Sequence, residues 1–105
     1  MIVYICGPYR GLNAWQRELN IRAAEYLAWG VWSQGHVALC PHTNTRYFDG
    51  SLPDQVWLDG CRALLERCDA LLTVHGWADS AGASAEVDYA RQRGMPIYHR
   101  VEDLL

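Results

Sequence analysis

The chain has 105 residues and a formal charge of −3; 50% of its residues are hydrophobic and 20% are charged. These values predict one domain over residues 1–105 and exclude a disordered chain. No apolar stretch reaches the ~20 residues of a membrane span, and an acidic chain is a poor partner for a nucleic-acid polymer. Without a recognisable signal peptide, the expected location is cytoplasmic and no membrane partner is expected.

The first half of the chain predicts two strands on either side of a long helix. Ile2 to Cys6 is an apolar run rich in β-branched residues, which is typical of a buried strand. Gly7 to Asn13 is a turn-rich loop. Ala14 to Gln34 has apolar residues at three- to four-residue spacing, which predicts a helix with an Asn cap and a Gly stop. His36 to Cys40 is a second strand, and His42 to Leu52 is a polar loop.

The second half of the chain continues the alternation of helix and strand. Pro53 to Arg67 predicts a helix, since proline suits the first helical turn. Ala70 to Val74 is a third buried strand, and the polar residues from His75 to Gly82 form a loop. Ala83 to Arg93 predicts another helix. The chain ends with a short strand and one helical turn, Pro96 to Tyr98 and Val101 to Leu105.

This order of elements predicts an α/β fold. Strands that are apolar throughout and alternate with helices form a parallel sheet covered on both faces. Right-handed crossovers then produce an open Rossmann-like or flavodoxin-like sheet, here of four or five strands. Ligands of such sheets bind beyond the carboxyl ends of the strands, where the strand order reverses. The loops after the first and third strands are expected at that edge.

The loop after the first strand has residues suited to an anionic ligand. It comprises Gly7, Pro8, Tyr9, Arg10 and Gly11. The two glycines allow a backbone to approach a ligand closely, and Arg10 can bind a phosphate or carboxylate. The loop is neither a dinucleotide-binding motif nor a P-loop, so binding of a dinucleotide or of ATP is not expected. A tight turn with a surface arginine is the alternative.

The loop after the third strand leads to a candidate carboxylate. Ser80 can cap the following helix or donate to a phosphate, and Gly82 permits close approach. Glu86 follows one turn later among small alanines. Its carboxylate can lie in a pocket, or it can be an ordinary exposed glutamate or one paired with Arg93.

The cysteines predict no metal site, and the tryptophans allow two interpretations. The four cysteines, at positions 6, 40, 61 and 68, form no C-x-x-C pair. We therefore expect no metal site, no other cofactor and no disulfide. The five tryptophans indicate either an interface or a tryptophan-rich core.

Three segments together carry a family resemblance. They are Tyr4-Ile5-Cys6-Gly7-Pro8-Tyr9-Arg10-Gly11, Cys68-Asp69-Ala70 and Ser80-Ala81-Gly82-Ala83-Ser84-Ala85-Glu86. In order and spacing they resemble the nucleoside 2-deoxyribosyltransferase-like superfamily over nearly the whole chain. The likeness is greatest to small bacterial and phage members of unknown function, and deoxynucleoside-monophosphate N-glycosidases are also similar. The resemblance implies cleavage of the N-glycosidic bond of a (deoxy)nucleoside or its 5′-monophosphate, by hydrolysis or by transfer to a second base.

The resemblance also implies roles for particular residues. Glu86 matches the nucleophile that attacks C1′, and Tyr4 matches the tyrosine that orients it. Ser80 matches the residue that contacts the 5′ end of the sugar. With Arg10 nearby, a serine suits a 5′-phosphate, because it adds a donor and no negative charge. The expected partner is therefore a small-molecule nucleotide in preference to a free nucleoside.

One position departs from the family pattern. Related enzymes carry a carboxylate eight residues before Asp69, where it assists the departing base, and this chain has Cys61 there. Asp59 is two residues away, which is a rotation of about 200° on a helix. His42, in the segment after the second strand, is a candidate acid or a packed loop histidine. Asn44 can read a base edge or form an Asx turn.

Two functions and an assembly state follow as expectations. The chain is either an N-glycosidase or deoxyribosyltransferase, or a nucleotide-sensing domain that Cys61 has impaired in catalysis. A small oligomeric scaffold is a third possibility if Glu86 and Arg10 face apart. A homodimer or higher homo-oligomer is expected, since the chain is short, tryptophans are in surplus and the family shares its sites between subunits.

Overall fold

A parallel sheet of four strands organises the computed structural model, which describes residues 1–104. The strands are β1 (Ile2–Cys6), β2 (Val37–Leu39), β3 (Ala70–Thr73) and β4 (Ile97–Tyr98). Their order in the sheet is β2-β1-β3-β4, and all three pairings are parallel. The predicted α/β fold with an open parallel sheet is confirmed, with the smaller of the two expected strand numbers.

The described residues also form four helices and two 3-10 turns. The helices are α1 (Ala14–Ser33), α2 (Pro41–Asn44), α3 (Asp54–Glu66) and α4 (Ala81–Gln92). The 3-10 turns are Trp77–Asp79 and Val101–Asp103. The second of these falls within the final turn predicted from the sequence, of which Leu105 lies outside the described residues. None of the described helices is long and apolar enough to cross a membrane.

The element boundaries differ from the prediction at two places that matter for the cleft. The segment predicted as a loop from His42 begins with the single turn of α2, because Pro41 is favourable at a first helical position. Helix α4 begins two residues before the predicted Ala83, because the Ser80 side chain caps it at that point. The predicted Asn13 cap of α1 is confirmed by a 2.8 Å hydrogen bond from the Gln16 amide.

Side chains of β1 alternate between two cores, one on each face of the sheet. Val3 and Ile5 pack on the α1 side, together with residues such as Ala24 and Val31. Tyr4 and Cys6 pack on the other side, with three residues of α3 and α4 among their neighbours: Leu65, Ala83 and Val87. The sheet is thus covered on both faces, and the even-numbered residues of β1 face α4.

The switch in strand order lies between β1 and β3, whose last paired residues are Cys6 and Thr73. The chain leaves β1 toward α1 on one face and leaves β3 toward α4 on the other. Because the two connections diverge, a crevice opens between the carboxyl ends of these two strands. The loops after β1 and β3, which the sequence predicts to bind a ligand, both border this crevice.

Candidate functional site

A wide cleft of about 1320 Å³ occupies this crevice and extends along α3. A volume of this size exceeds what most small-molecule sites require, so it can accept a nucleotide. Nine of the ten residues predicted for the site border it: Tyr4, Gly7, Pro8, Arg10, Gly11, His42, Ser80, Gly82 and Glu86. Asn44 does not border the cleft and is exposed at the end of α2. Two helical positions separate Asn44 from His42, and that rotation of about 200° turns Asn44 outward.

The carboxylate of Glu86 is held by two side chains of β1. The Tyr4 hydroxyl donates to Oε2 at 2.5 Å, and the Cys6 Sγ lies 3.4 Å from Oε1. The same Cys6 sulfur is 3.4 Å from the carbonyl oxygen of Ala83. Glu86 is half-buried and bonded to β1, whereas the Arg93 guanidinium lies over the ring of Tyr89. Glu86 is therefore neither an ordinary exposed glutamate nor paired with Arg93.

The pKa shifts of Glu86, Tyr4 and Cys6 show which of these groups donate hydrogen bonds and which accepts them. Burial raises the pKa of Glu86 above its ordinary value, while the hydrogen bonds from Tyr4 and Cys6 and the charge of Arg62 oppose that rise. Burial and the negative charge of Glu86 raise the pKa of both Tyr4 and Cys6. The phenol and the thiol therefore keep their protons, and Glu86 accepts. A carboxylate held in this way beside an open cleft can act as a nucleophile or as a base.

Arg10 is paired with a carboxylate from another element. Its guanidinium bonds the side chain of Asp54, in the first turn of α3, so the loop after β1 is joined to α3. Both side chains remain more than half exposed, at 68% and 55%. An exposed pair of this kind contributes little stability, about 0–1 kcal/mol, so an anionic ligand can displace Asp54.

His42 braces the same loop. Its Nε2 lies 2.8 Å from the carbonyl oxygen of Pro8, and its ring meets the ring of Tyr9 edge to face at 5.4 Å. Burial lowers the pKa of His42, so the ring is neutral and Nε2 carries the proton donated to Pro8. That proton is already engaged, which weakens the interpretation of His42 as the acid for a departing base. The geometry instead favours the alternative of a packed loop histidine.

Ser80 and Gly82 form the start of α4 at the cleft. The Ser80 Oγ accepts a 3.2 Å hydrogen bond from the amide of Ala83, which leaves its hydroxyl proton for another acceptor. A Cβ placed on Gly82 would meet no atom within 4 Å. Ser80 therefore does cap the helix, and the cap remains compatible with a contact to an anion at a helix N-terminus.

The glycines of the first loop are explained by packing inside the protein. A Cβ on Gly7 would lie 2.5 Å from the Cβ of Val74, at the point where β1 and β3 end side by side. A Cβ on Gly11 would lie 2.4 Å from the Cγ of Gln16. Close approach does require these glycines, but the approaching atoms belong to the chain itself. Contact between this backbone and a ligand stays a prediction.

Cys61 borders the cleft where the resemblance implies a carboxylate. Burial and the charge of Glu86 raise the pKa of the Cys61 thiol, and the nearby Tyr4 hydroxyl only partly opposes that rise. The thiol is therefore protonated and weakly acidic at neutral pH. Asp59 also borders the cleft, although helical rotation predicted that it would face elsewhere. The reason is the width of the cleft, which follows α3 for most of its length.

Three residues of the cleft and its wall were not predicted from the sequence. Cys6 contacts Glu86, Arg62 acts on Glu86 through its charge, and Trp57 has an indole Nε1 without a hydrogen-bond partner. Cys6 has the same parity as Tyr4 along β1, which was a usable signal. Nothing in the sequence around Arg62 predicts that it lies near Glu86, because this depends on how α3 packs beside α4.

No group of three or more His, Cys, Asp or Glu side chains within residues 1–104 is arranged to hold a metal ion.

Comparison with known proteins places the chain in a family without an assigned activity. A search of curated proteins finds no match. A family model described as a domain of unknown function, DUF4406, matches residues 1–99. The chain therefore belongs to the DUF4406 family.

Proposed function

We propose that this member of the DUF4406 family cleaves the N-glycosidic bond of a (deoxy)nucleoside 5′-monophosphate, with Glu86 as the nucleophile. The observation that supports the proposal most is the Glu86 carboxylate, held by Tyr4 and Cys6 on the wall of the cleft. An oxocarbenium-like transition state requires such a carboxylate beside the sugar. The reaction class comes from the resemblance to the nucleoside 2-deoxyribosyltransferase-like superfamily, since the DUF4406 description names no activity.

The proposed reaction has two steps. A Glu86 oxygen forms a bond to C1′ while the bond from C1′ to the base breaks, and the base leaves with that electron pair and takes up a proton. Water or a second base then attacks C1′ and releases Glu86. A covalent intermediate divides one difficult displacement into two easier ones. Tyr4 holds the carboxylate in place throughout.

The 5′-phosphate is assigned to the side of the cleft formed by Arg10 and Ser80. Both residues border the cleft, and Ser80 lies at the N-terminus of α4, where the helix dipole favours an anion. Binding there requires the phosphate to take the place of Asp54 on Arg10. A free nucleoside lacks the group that could make this exchange.

The experiment is base release from a panel of nucleotides and nucleosides, followed by chromatography. The parent protein is expected to release base from at least one 5′-monophosphate, and Glu86→Gln is expected to release none. Glu102→Gln is the matched control, because Glu102 is exposed on the final 3-10 turn and does not border the cleft. Absence of release from every compound would contradict the proposal.

A nucleotide-sensing domain without turnover is the second candidate, and Cys61 is the observation that favours it. A protonated thiol of raised pKa is a poor acid for a departing base. This function predicts that nucleotides raise the melting temperature while no base is released. Cys61→Asp would then gain base release, and Cys61→Ser, which adds no acid, would not. If no nucleotide changes the melting temperature and none is cleaved, both candidates are wrong.

A further inference from the structure

Arg62 is a cation at the wall of the cleft without an acidic partner. It borders the cleft from α3, and it lies near enough to Glu86 for its charge to act on that carboxyl. Its guanidinium carbon lies 4.7 Å from the centroid of the Tyr89 ring. It forms no salt bridge with any carboxylate of residues 1–104. The five N–H donors of this guanidinium can therefore bind a ligand.

The ring of Tyr89 keeps Arg62 at this wall. Tyr89 lies on α4, three residues beyond Glu86, and also borders the cleft. Its hydroxyl donates to Glu66 of α3, which fixes the ring between the two helices. A guanidinium over an aromatic face is attracted to it, so Arg62 stays beside the ring. The Arg93 guanidinium also lies over this ring, but Arg93 does not border the cleft.

The tryptophans do not provide an aromatic surface at this point of the cleft. None of the five is fully buried, so the predicted alternative of a tryptophan-rich core is wrong. Four of them do not border the cleft: Trp15, Trp29, Trp32 and Trp77. The three on α1 are more than half exposed. The fifth, Trp57, borders the cleft within one turn of Asp54, at the end of α3 where Arg10 is held.

Helices α3 and α4 place Arg62 beyond Glu86, as seen from the assigned phosphate position. Both helices begin at the carboxyl edge of the sheet, because α3 leads into β3 and α4 follows it. Asp54, at the phosphate end, lies eight residues before Arg62 on α3, or about 12 Å along the axis. Ser80, also at that end, lies six residues before Glu86 on α4, or about 9 Å. The phosphate position, Glu86 and Arg62 therefore follow one another along the cleft.

We infer that Arg62 and Tyr89 form the subsite for the base, and that Arg62 stabilises the negative charge on the base as it leaves. This inference rests on the proposed function, which puts the phosphate at Arg10 and C1′ at Glu86. In a nucleotide, C5′ carries the phosphate and C1′ carries the base, and their attachment points flank the ring oxygen of the sugar. A sugar at Glu86 with its phosphate at Arg10 therefore directs its base toward Arg62.

The charge balance of the first step favours a cation at this position. When the bond from C1′ to the base nitrogen breaks, both electrons remain on the nitrogen, and an unmodified base departs as an anion. Arg62 keeps its own proton at neutral pH, so it acts through its charge and its N–H donors. Water supplies the proton that the base takes up afterwards. Arg62 thus assists departure of the base without the acid that Cys61 does not provide.

The first test is calorimetric binding to Glu86→Gln, which is expected to bind nucleotide without cleaving it. Adding Arg62→Gln is expected to weaken a deoxynucleoside 5′-monophosphate about tenfold. The affinity for 2-deoxyribose 5-phosphate, which lacks the base, should stay the same. Arg91→Gln is the matched control, because Arg91 is exposed, pairs with Asp88 and does not border the cleft. Circular dichroism checks that each variant folds.

Three results of this titration would overturn the base subsite. An equal loss for both ligands would show that Arg62 contacts the sugar phosphate. No loss for the nucleotide would show that Arg62 does not contact the base. Failure of Glu86→Gln to bind any nucleotide would remove the subsite altogether.

The second test compares bases that leave with different charge. Guanine departs from its nucleotide as an anion, whereas 7-methylguanine departs as a neutral molecule. Arg62→Gln is expected to lower kcat/KM about 100-fold for the guanine nucleotide and less than tenfold for the methylated one. If the parent cleaves pyrimidine nucleotides instead, uracil and the more acidic 5-fluorouracil are the pair, with the larger loss for uracil. Arg62→Lys keeps the charge and should recover part of the lost rate.

The two tests separate this inference from the proposed function. An equal loss of rate for both bases would overturn the stabilising role of Arg62. If the parent cleaves no nucleotide, the proposed function and that role are both wrong. The base subsite still stands in that case if Arg62→Gln weakens nucleotide binding and leaves binding of the sugar phosphate unchanged.

Discussion

The hydroxyl of Tyr4 donates a 2.5 Å hydrogen bond to the carboxylate of Glu86, 82 residues further along the chain. Tyr4 is buried in the central part of the sheet, and Glu86 lies on the second turn of α4. Burial raises the pKa of Glu86, and this donor acts against the rise. The bond therefore favours the ionised form of a half-buried carboxylate at the wall of the cleft. Tyr4 is a positioning residue for whatever Glu86 does.

Tyr4→Phe is expected to move the acid limb of the activity to higher pH. The proposed reaction needs ionised Glu86, so its rate should rise with pH through the pKa of that group, and loss of the donor raises the pKa further. A hydrogen bond to a charged group is worth about 1.5–3 kcal/mol, so activity on the acid side of that limb should fall about 10- to 100-fold. The measurement is kcat/KM for base release against pH. Tyr98→Phe is the control, and an unchanged acid limb in Tyr4→Phe would be evidence against the positioning role.

Glu86→Gln is expected to stabilise the protein at neutral pH while it abolishes base release. The folded-state pKa of Glu86 lies above its ordinary value of 4.5, so its contribution to stability is fully present below that value. The contribution is lost as pH rises through the raised pKa. Glutamine removes this loss, and single stabilising substitutions commonly gain about 0.5–2 kcal/mol. Urea unfolding should show the gain at pH 8 and no gain at pH 4. A variant less stable than the parent at pH 8 would disprove this account.

Asp54→Asn is expected to strengthen the binding of 5′-monophosphates. The substitution frees Arg10 from its exposed ion pair, which contributes about 0.2–1 kcal/mol. Affinity for a monophosphate should therefore rise up to about fivefold, while affinity for the matching nucleoside stays the same. Calorimetric titration of both ligands measures the difference. Asp88→Asn, on the outer face of α4, should change neither affinity. An equal change for nucleotide and nucleoside would show that Arg10 does not contact the phosphate.

Gly7→Ala and Gly82→Ala are expected to have opposite effects. A Cβ on Gly7 would lie 2.5 Å from the Cβ of Val74, so the strands must separate at a cost of about 1–3 kcal/mol. A Cβ on Gly82 would meet nothing within 4 Å, and alanine in place of glycine in a helix gains up to about 1 kcal/mol. Its methyl group would project at the cleft and weaken ligand binding. Urea unfolding and ligand titration of both variants check this pattern. A Gly7→Ala variant as stable as the parent would contradict it.

The fold was largely predictable because its elements are encoded locally. Each strand is an apolar run of a few residues, and each long helix has apolar side chains at helical spacing. Helix α2 was missed because a single turn of His, Thr and Asn shows no such period, and only Pro41 signals it. The early start of α4 was missed because Gly82 favoured a loop, whereas the Ser80 cap decides the boundary.

Within the candidate site, the loops of the sequence indicated Arg10, Ser80 and Glu86, and the family resemblance indicated Tyr4. Most of their contacts were not predictable. Arg10 bonds Asp54 and His42 bonds Pro8 because α2 and α3 pack beside the loop after β1. No periodicity reports such neighbours, which are 44 and 34 residues apart in the chain.

The sequence by itself determined the alternation of strand and helix, the parallel sheet and the edge at which chemistry is expected, since these depend on neighbours a few residues away. Only the tertiary structure decided which tryptophans face outward on α1, which carboxylate meets Arg10 and how far the cleft follows α3. These features depend on the strand order β2-β1-β3-β4 and on the packing of helices over it. That order brings distant side chains together, and burial then sets the charge state of the groups that meet.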